Sequence, residues 1–138
     1  MRSRIRTSGR TSTGQSRFCM QRDVRAYLFD IIESCEAISA AVAGLDLESY
    51  RSNRLVRSSV EREFIIIGEA TNVLSRLAPD IFAELSHARR IIDFRNQLTH
   101  EYPSINDKIV WTTATRDVPV LRSQCKRLLN ELEPRSAV

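Results

Sequence analysis

The stretch RNQLTHEY, from Arg95 to Tyr102, gathers side chains that can act on phosphate esters. Arg95 carries a permanent charge on a planar fork that matches phosphate oxygens. His100 is the one side chain in this stretch whose ordinary pKa lies near neutrality, and such a pKa suits proton transfer. Asn96 can hold the imidazole or a substrate oxygen, and Tyr102 adds a hydroxyl group.

Helical spacing predicts how these side chains are arranged. Residues four apart share a face of an α-helix, so Asn96 and His100 lie together. Arg95 lies on the adjacent face with Tyr102, which falls on the frayed end. Pro103 is expected to stop the helix, because the residue before proline is pushed out of helical space. The polar side chains therefore project around one helix C-terminus.

Such a cluster could cleave RNA without a metal ion. The histidine would take the proton from the ribose 2′-OH or give one to the leaving 5′-oxygen, while the arginine stabilises the charge of the transition state. One histidine can hardly fill both roles at once, and a symmetric dimer would bring a second copy to the cleft. Alternatively, Arg95 and His100 serve only to meet the negative end of the helix dipole.

Apolar residues at alternating steps of three and four predict the helices that position this cluster. The predicted helices run over residues 22–42, 54–77 and 87–100, and a last helix carries a stripe from Trp111 to Leu132. Pro79 is expected to open a short helical turn, Pro119 to kink the last helix, and residues 45–51 to form a linker. No stretch alternates with period two, so the fold class is an all-α, up-down bundle of four main helices plus that turn.

Single residues within these helices carry further expectations. Gly68 lies in the middle of the second helix at a cost of up to ~1 kcal/mol, explained either by close approach of a neighbouring helix or by tolerance. Glu69 either points at the cleft or is a solvated helix charge. His87 is interpreted as a surface residue, and Ser86 as the cap of the third helix.

Charge is unevenly distributed along the chain. The formal net charge is +4, but residues 1–19 hold five arginines and no acid, which leaves 16 basic and 17 acidic residues in the remainder. A broad basic face for nucleic acid is therefore not indicated. Positive potential could still be concentrated locally by Arg89, Arg90 and Arg95.

The three cysteines, Cys19, Cys35 and Cys125, fit no zinc or redox spacing. Cys35 and Cys125 fall on apolar stripes and are predicted to be small buried hydrophobes. Reduced thiols suit a cytosolic protein, so a cytoplasmic location is expected. The longest apolar run, FIIIG, is far shorter than a membrane span.

Residues 1–19 are predicted to be a disordered basic tail, outside a folded domain of residues 20–138. Three readings of this tail stay open. It is an organelle transit peptide without an apolar face, a segment upstream of a natural start at Met20, or a basic arm that touches nucleic acid.

Several stretches, in order, resemble the HepT-type toxins of the HEPN superfamily (higher eukaryote and prokaryote nucleotide-binding domains). They are QRDVRAYLFDIIESCEAI, GLDLESY, FIIIGEATNVLSRL, FRNQLTHEY and IVWTTATRDVPVLRSQ. The similarity covers about residues 20–133 and includes an Arg-x4-His-x-Tyr motif. It departs from its relatives at Arg89 and Arg90, in a region where a Trp is common.

The resemblance implies an endoribonuclease toxin that needs no metal or other cofactor and forms a homodimer with paired motifs at the interface. Arg95 and His100 would be catalytic and Asn96 supportive. The implied partner is a nucleotidyltransferase antitoxin of the MntA type, which transfers AMP from ATP to Tyr102. The alternatives are a non-catalytic helical dimer that serves as partner or substrate of such a transferase, or a helical structural protein.

Overall fold

The computed structural model describes residues 23–99 and 106–132, and these form a helical bundle. The helices are α1 (Val24–Val42), α2 (Leu47–Ser52), α3 (Arg54–Leu77), α4 (Pro79–Phe82), α5 (Ala88–Thr99), α6 (Asp107–Thr112) and α7 (Val118–Leu132), with a π-helical turn (Thr113–Asp117) between the last two. The two described ranges contain no strand, and the predicted all-α class is confirmed. The basic tail and Pro103 lie outside the described residues.

Helix α3 lies at the centre of the bundle, between α1 on one side and α5 on the other, while α7 packs on α1. The inward faces of these helices supply the core, and side chains such as Leu28, Phe64 and Leu121 are fully buried. The rings of Phe64 and Phe94 meet edge to face at 5.2 Å and connect α3 to α5.

Cys35 and Cys125 are free and buried, as predicted. Burial raises the pKa of both thiols, that of Cys125 to about 12. A thiol in this environment stays protonated at neutral pH and is a poor nucleophile. Both residues therefore act as packing groups between α1 and α7.

The predicted linker at residues 45–51 was wrong, because most of it folds as α2. Asp46 caps this helix by accepting a hydrogen bond from the Ser49 backbone N–H at 2.8 Å, and the Ser49 hydroxyl completes a capping box. Tyr50 fixes α2 to the bundle, since its ring is fully buried and lies 5.5 Å from that of Trp111. The side chain of Asn53 then caps α3 through the Val56 N–H at 3.1 Å.

A π-helical turn ends directly before Val118, next to Pro119; the kink expected at Pro119 stays a prediction. Proline has no N–H to donate, so a helix that contains it must rearrange its hydrogen bonds nearby. Here the Val118 N–H reaches back five residues to the Thr113 carbonyl. The turn leaves the preceding Trp111 partly exposed and buries Val110 fully.

Ser86 does not act as the cap that the sequence suggested. Its hydroxyl accepts a hydrogen bond from Gln124 Nε2 at 2.6 Å, and its backbone N–H donates to Gln124 Oε1 at 3.1 Å. This reciprocal pair joins the segment before α5 to α7. The start of the motif helix is therefore held by a tertiary contact.

Asn53→Ala is expected to lower the free energy of unfolding by about 1 kcal/mol, because the α3 N-terminus loses its cap. The measurement is urea unfolding followed by circular dichroism. Ser58→Ala, on the exposed side of α3, is the matched control and should change stability by less than about 0.5 kcal/mol. Equal stability of the two variants would show that the cap contributes nothing.

Candidate active site

Helix α5 carries the first half of the predicted catalytic cluster. Arg95 and Asn96 lie in its last two turns, and the described part of the helix ends at Thr99. His100 and Tyr102 lie outside the described residues, so the predicted pairing of Arg95 with His100 stays a prediction. The structure bears directly on two of the four predicted site residues.

Arg95 is half-buried, and its stem packs across α3 at Gly68. Its Nε is shielded from solvent and has no hydrogen-bond partner among the described residues. The ion pairs that the structure shows between described residues involve other arginines. A shielded donor without an acceptor is costly unless something fills it. Arg95 is therefore a positioned cation that no described acid neutralises.

Asn96 is exposed on α5, and its backbone carbonyl accepts a hydrogen bond from the Thr99 hydroxyl at 3.2 Å. Glu69, on α3 beside Gly68, is also exposed. Exposure agrees with a solvated helix charge and does not by itself assign Glu69 to a cleft.

The expected concentration of positive potential is only partly present. Nη1 of Arg90 donates to Asp117 Oδ2 at 3.0 Å, so a carboxylate compensates this charge. The guanidinium carbon of Arg89 lies 5.1 Å from the centre of the Phe82 ring, in a cation–π contact. The charge of Arg90 is thus compensated by a carboxylate, whereas the charge of Arg89 remains available to bind an anion.

Asp117 is a buried acidic residue with two charged or polar partners, and the sequence-based prediction did not single it out. It is only 7% exposed, in the π-helical turn, and His87 Nε2 lies 3.8 Å from its other oxygen. The interpretation of His87 as a plain surface residue was therefore incomplete. A signal was available, since an acid three residues after Ala114 and four before Leu121 falls on the inner stripe of the last helix. The contacts of Asp117 with Arg90 and His87 join the start of α5 to the turn before α7.

A groove of about 510 Å³ between α1 and α3 is lined mainly by acids, among them Asp30, Glu33, Glu36 and Glu63. One of these acids, Glu36, forms an ion pair with Arg122, and the groove as a whole is an unfavourable surface for a polyanion. In the part of the chain that the structure describes, no three His, Cys, Asp or Glu side chains are grouped so that they could hold a metal ion.

A second polar group lies beneath α2. Tyr50 is fully buried, and its hydroxyl has no hydrogen-bond partner within the described ranges. Burial raises the pKa of this hydroxyl. The pKa of the Glu61 carboxyl is also raised, chiefly by burial and next by the negative charge of Asp107. The ionised form of Glu61 is thus disfavoured in the folded protein relative to the protonated form.

The fold is an α-helical bundle in which Arg95, near the end of α5, has no acidic partner among the described residues. Comparisons with known proteins give the class of this bundle, that of helical ribonucleases. Residues 31–128 match the model of the family described as Ribonuclease HepT-like. The chain belongs to this family and is an endoribonuclease by class.

Relatives in several organisms support the assignment. A protein of Caldanaerobacter subterraneus subsp. tengcongensis that bears the name of an RNase is 32% identical over 111 residues, which cover 78% of this chain and 95% of the relative. A protein of Thermococcus cleftensis that bears the name ribonuclease HepT is 29% identical, with coverages of 79% and 98%. An RNase-named protein of Methanocaldococcus jannaschii is 25% identical, with coverages of 82% and 93%. No solved structure matches the chain significantly.

In the described segments, no helix combines the length and the apolar character that a membrane crossing requires.

Glu61→Gln is expected to raise the melting temperature at neutral pH. The pKa of Glu61 is higher in the folded than in the unfolded chain, so the folded state binds more protons and stability falls as pH rises through that window. Below the ordinary glutamate pKa of about 4.3 the wild type is protonated, and the difference should vanish. Thermal unfolding from about pH 3 to pH 8 measures this, with the exposed Glu33→Gln as control. A gain that is the same at every pH would contradict the assignment.

Proposed function

We propose that Arg95 and His100 cleave RNA by transesterification without a metal ion. The 2′-oxygen attacks the adjacent phosphorus, a base takes the 2′-OH proton, and an acid protonates the departing 5′-oxygen. The products are a 2′,3′-cyclic phosphate and a free 5′-OH. Arg95 stabilises the extra negative charge on the phosphoryl oxygens during the exchange.

The observation that carries this proposal is the state of Arg95. It is half-buried and held against α3, and its Nε lacks a partner among the residues that the structure describes. A guanidinium that is placed in advance and that no described acid neutralises is suited to a phosphate that arrives with the substrate. A residue that served only to meet the helix dipole would need neither burial nor a fixed position.

The proposed active unit is a homodimer with paired motifs in one cleft. Two copies of His100 would then supply the base and the acid that the reaction needs together. Asn96, whose carboxamide is exposed, orients the imidazole or a ribose oxygen. The acidic groove between α1 and α3 supports a substrate path on the α5 side of the bundle.

Neutralisation is proposed to occur at Tyr102, by a nucleotidyltransferase antitoxin of the MntA type. The tyrosine oxygen attacks the α-phosphorus of ATP, loses its proton and releases pyrophosphate. The attached AMP adds bulk and a negative charge beside Arg95 and His100, which repels an RNA phosphate. The system is thus proposed to be a toxin–antitoxin pair of the type VII kind, acting in the cytoplasm.

Arg95→Ala is expected to lower kcat for RNA cleavage by about 10²- to 10³-fold, because a donor to the transition-state charge is lost. His100→Ala should lower it by about 10²- to 10⁴-fold. Cleavage of a fluorogenic oligoribonucleotide by the full chain measures both, and growth of bacteria expressing each variant gives the cellular result. Gln97→Ala, exposed on the same helix, is the matched control and should retain cleavage and growth arrest.

Two results would reject the nuclease proposal. One is cleavage by His100→Ala at the wild-type rate. The other is a harmless, inactive wild type whose Tyr102 still accepts AMP, which would identify the chain as a non-catalytic partner of a nucleotidyltransferase.

Tyr102→Phe is expected to retain cleavage and to escape neutralisation, because only the hydroxyl that accepts AMP is removed. Intact mass after incubation with ATP and an MntA-type nucleotidyltransferase should show one or more AMP additions on the wild type and none on the variant. The variant should also stay toxic when that enzyme is co-expressed. AMP found on Tyr102→Phe would place the modification on another residue.

A further inference from the structure

Gly68 on α3 packs directly against the side chain of Arg95 on α5. A Cβ built on Gly68 would overlap Arg95 Cβ, would lie 2.7 Å from Arg95 Cγ, and would lie 3.4 Å from the Ile91 carbonyl oxygen. The first two atoms are the root of the arginine side chain, which cannot swing aside as a flexible tip can. Any residue larger than glycine must therefore displace the helices or the Arg95 stem.

The same contact determines how the Arg95 guanidinium is presented. The stem crosses the gap left by Gly68, and Nε at its far end is shielded from solvent without a partner. The guanidinium plane begins at Nε, so fixing the stem restricts the directions in which the four Nη hydrogens point. A fixed direction is what bidentate recognition of phosphate requires.

We infer that Gly68 is a positioning residue that sets the guanidinium of Arg95 for catalysis, an inference that rests on the proposed nuclease function. Gly68 contacts no substrate, and its effect passes through Arg95. A side chain at position 68 would fill the space that the Arg95 stem occupies and would thereby shift the guanidinium. A displacement of about 1 Å can cost roughly a hundredfold in rate.

The test is a double-mutant cycle on cleavage by the full chain, with Gly68→Ala, Arg95→Gly and the double variant. Arg95→Gly is used because alanine would leave the Cβ that the new methyl group strikes. Gly68→Ala is expected to lower kcat roughly a hundredfold and to change KM less than threefold. In the Arg95→Gly background the same substitution should lower kcat by no more than about twofold, since neither the clash nor a guanidinium to be misplaced remains. Ser58→Ala on the same helix is the control for substitution on α3.

A purely structural role predicts a different result. In that case Gly68→Ala would lower kcat by the same factor with and without Arg95, and the inference would be overturned. Wild-type cleavage by Gly68→Ala would overturn it as well. A wild type that cleaves no RNA under any condition would reject the proposed function instead, and the two failures are thereby distinguished.

A second cycle, on thermal stability, covers the case in which Gly68→Ala does not fold. Arg95→Gly removes both the Cβ and the Cγ that the new methyl group would strike. Gly68→Ala with Arg95→Gly should therefore fold, and Gly68→Ala should raise the melting temperature in that background because alanine favours a helix. If the double variant were as unfolded as Gly68→Ala alone, Arg95 would not be the residue that fills the space beside Gly68. That result would overturn the inference.

Discussion

The closeness of α3 and α5 at a single point governs the position of the polar end of α5. Two helices packed through ordinary side chains keep their axes about 8 to 10 Å apart. Gly68 removes that spacer, so the stem of Arg95 can lie directly on the α3 backbone. The edge-to-face pair of Phe64 and Phe94 adds a wide apolar contact next to it. Gly68 and the Phe64–Phe94 pair thus fix the position of the last turns of α5 on α3.

The charges of the bundle are unevenly distributed. Acids line the groove between α1 and α3, whereas α5 carries the cations Arg89, Arg90 and Arg95 and a single acid, Asp93. Only one of these three is held in an ion pair. A domain with a nearly balanced net charge can therefore still present a local cationic surface. Within about a Debye length, some 10 Å at moderate salt, such sorting matters more to a polyanion than the sum over the chain.

Regular periodicity made most of the fold predictable. The stripes of α1, α3 and α5 gave their extents, because an amphipathic helix repeats the same choice every three or four residues. The cysteines at 35 and 125 followed from the same stripes. Gly68 was recognised as a possible close approach, but one sequence does not say which residue of which helix fills the space.

Features that depend on one local hydrogen bond or one tertiary pair were not predictable. The sequence predicts a linker at residues 45–51 because α2 is too short to show an apolar stripe. Its capping box also lacks the usual signal, since Ser49 stands at the N3 position where Glu is preferred. Asp117 was passed over because an acid within an apolar stripe is ordinarily solvated, and its partners lie 27 and 30 positions away along the chain. Of the site, the helix and the residue types were predictable, whereas the partner-free state of the Arg95 Nε needed coordinates.

The π-helical turn has a consequence for the lineage of this domain. Such a turn accommodates one extra residue within an α-helix, and the helices on either side keep their inward faces toward the core. The turn contains Asp117, whose carboxylate meets Arg90 and His87. Deleting a single codon between Thr113 and Asp117 would restore a continuous α-helix and would remove or displace the residue that makes these contacts. Homologues with an even α-helix at this place would then have to anchor the start of α5 by some other contact.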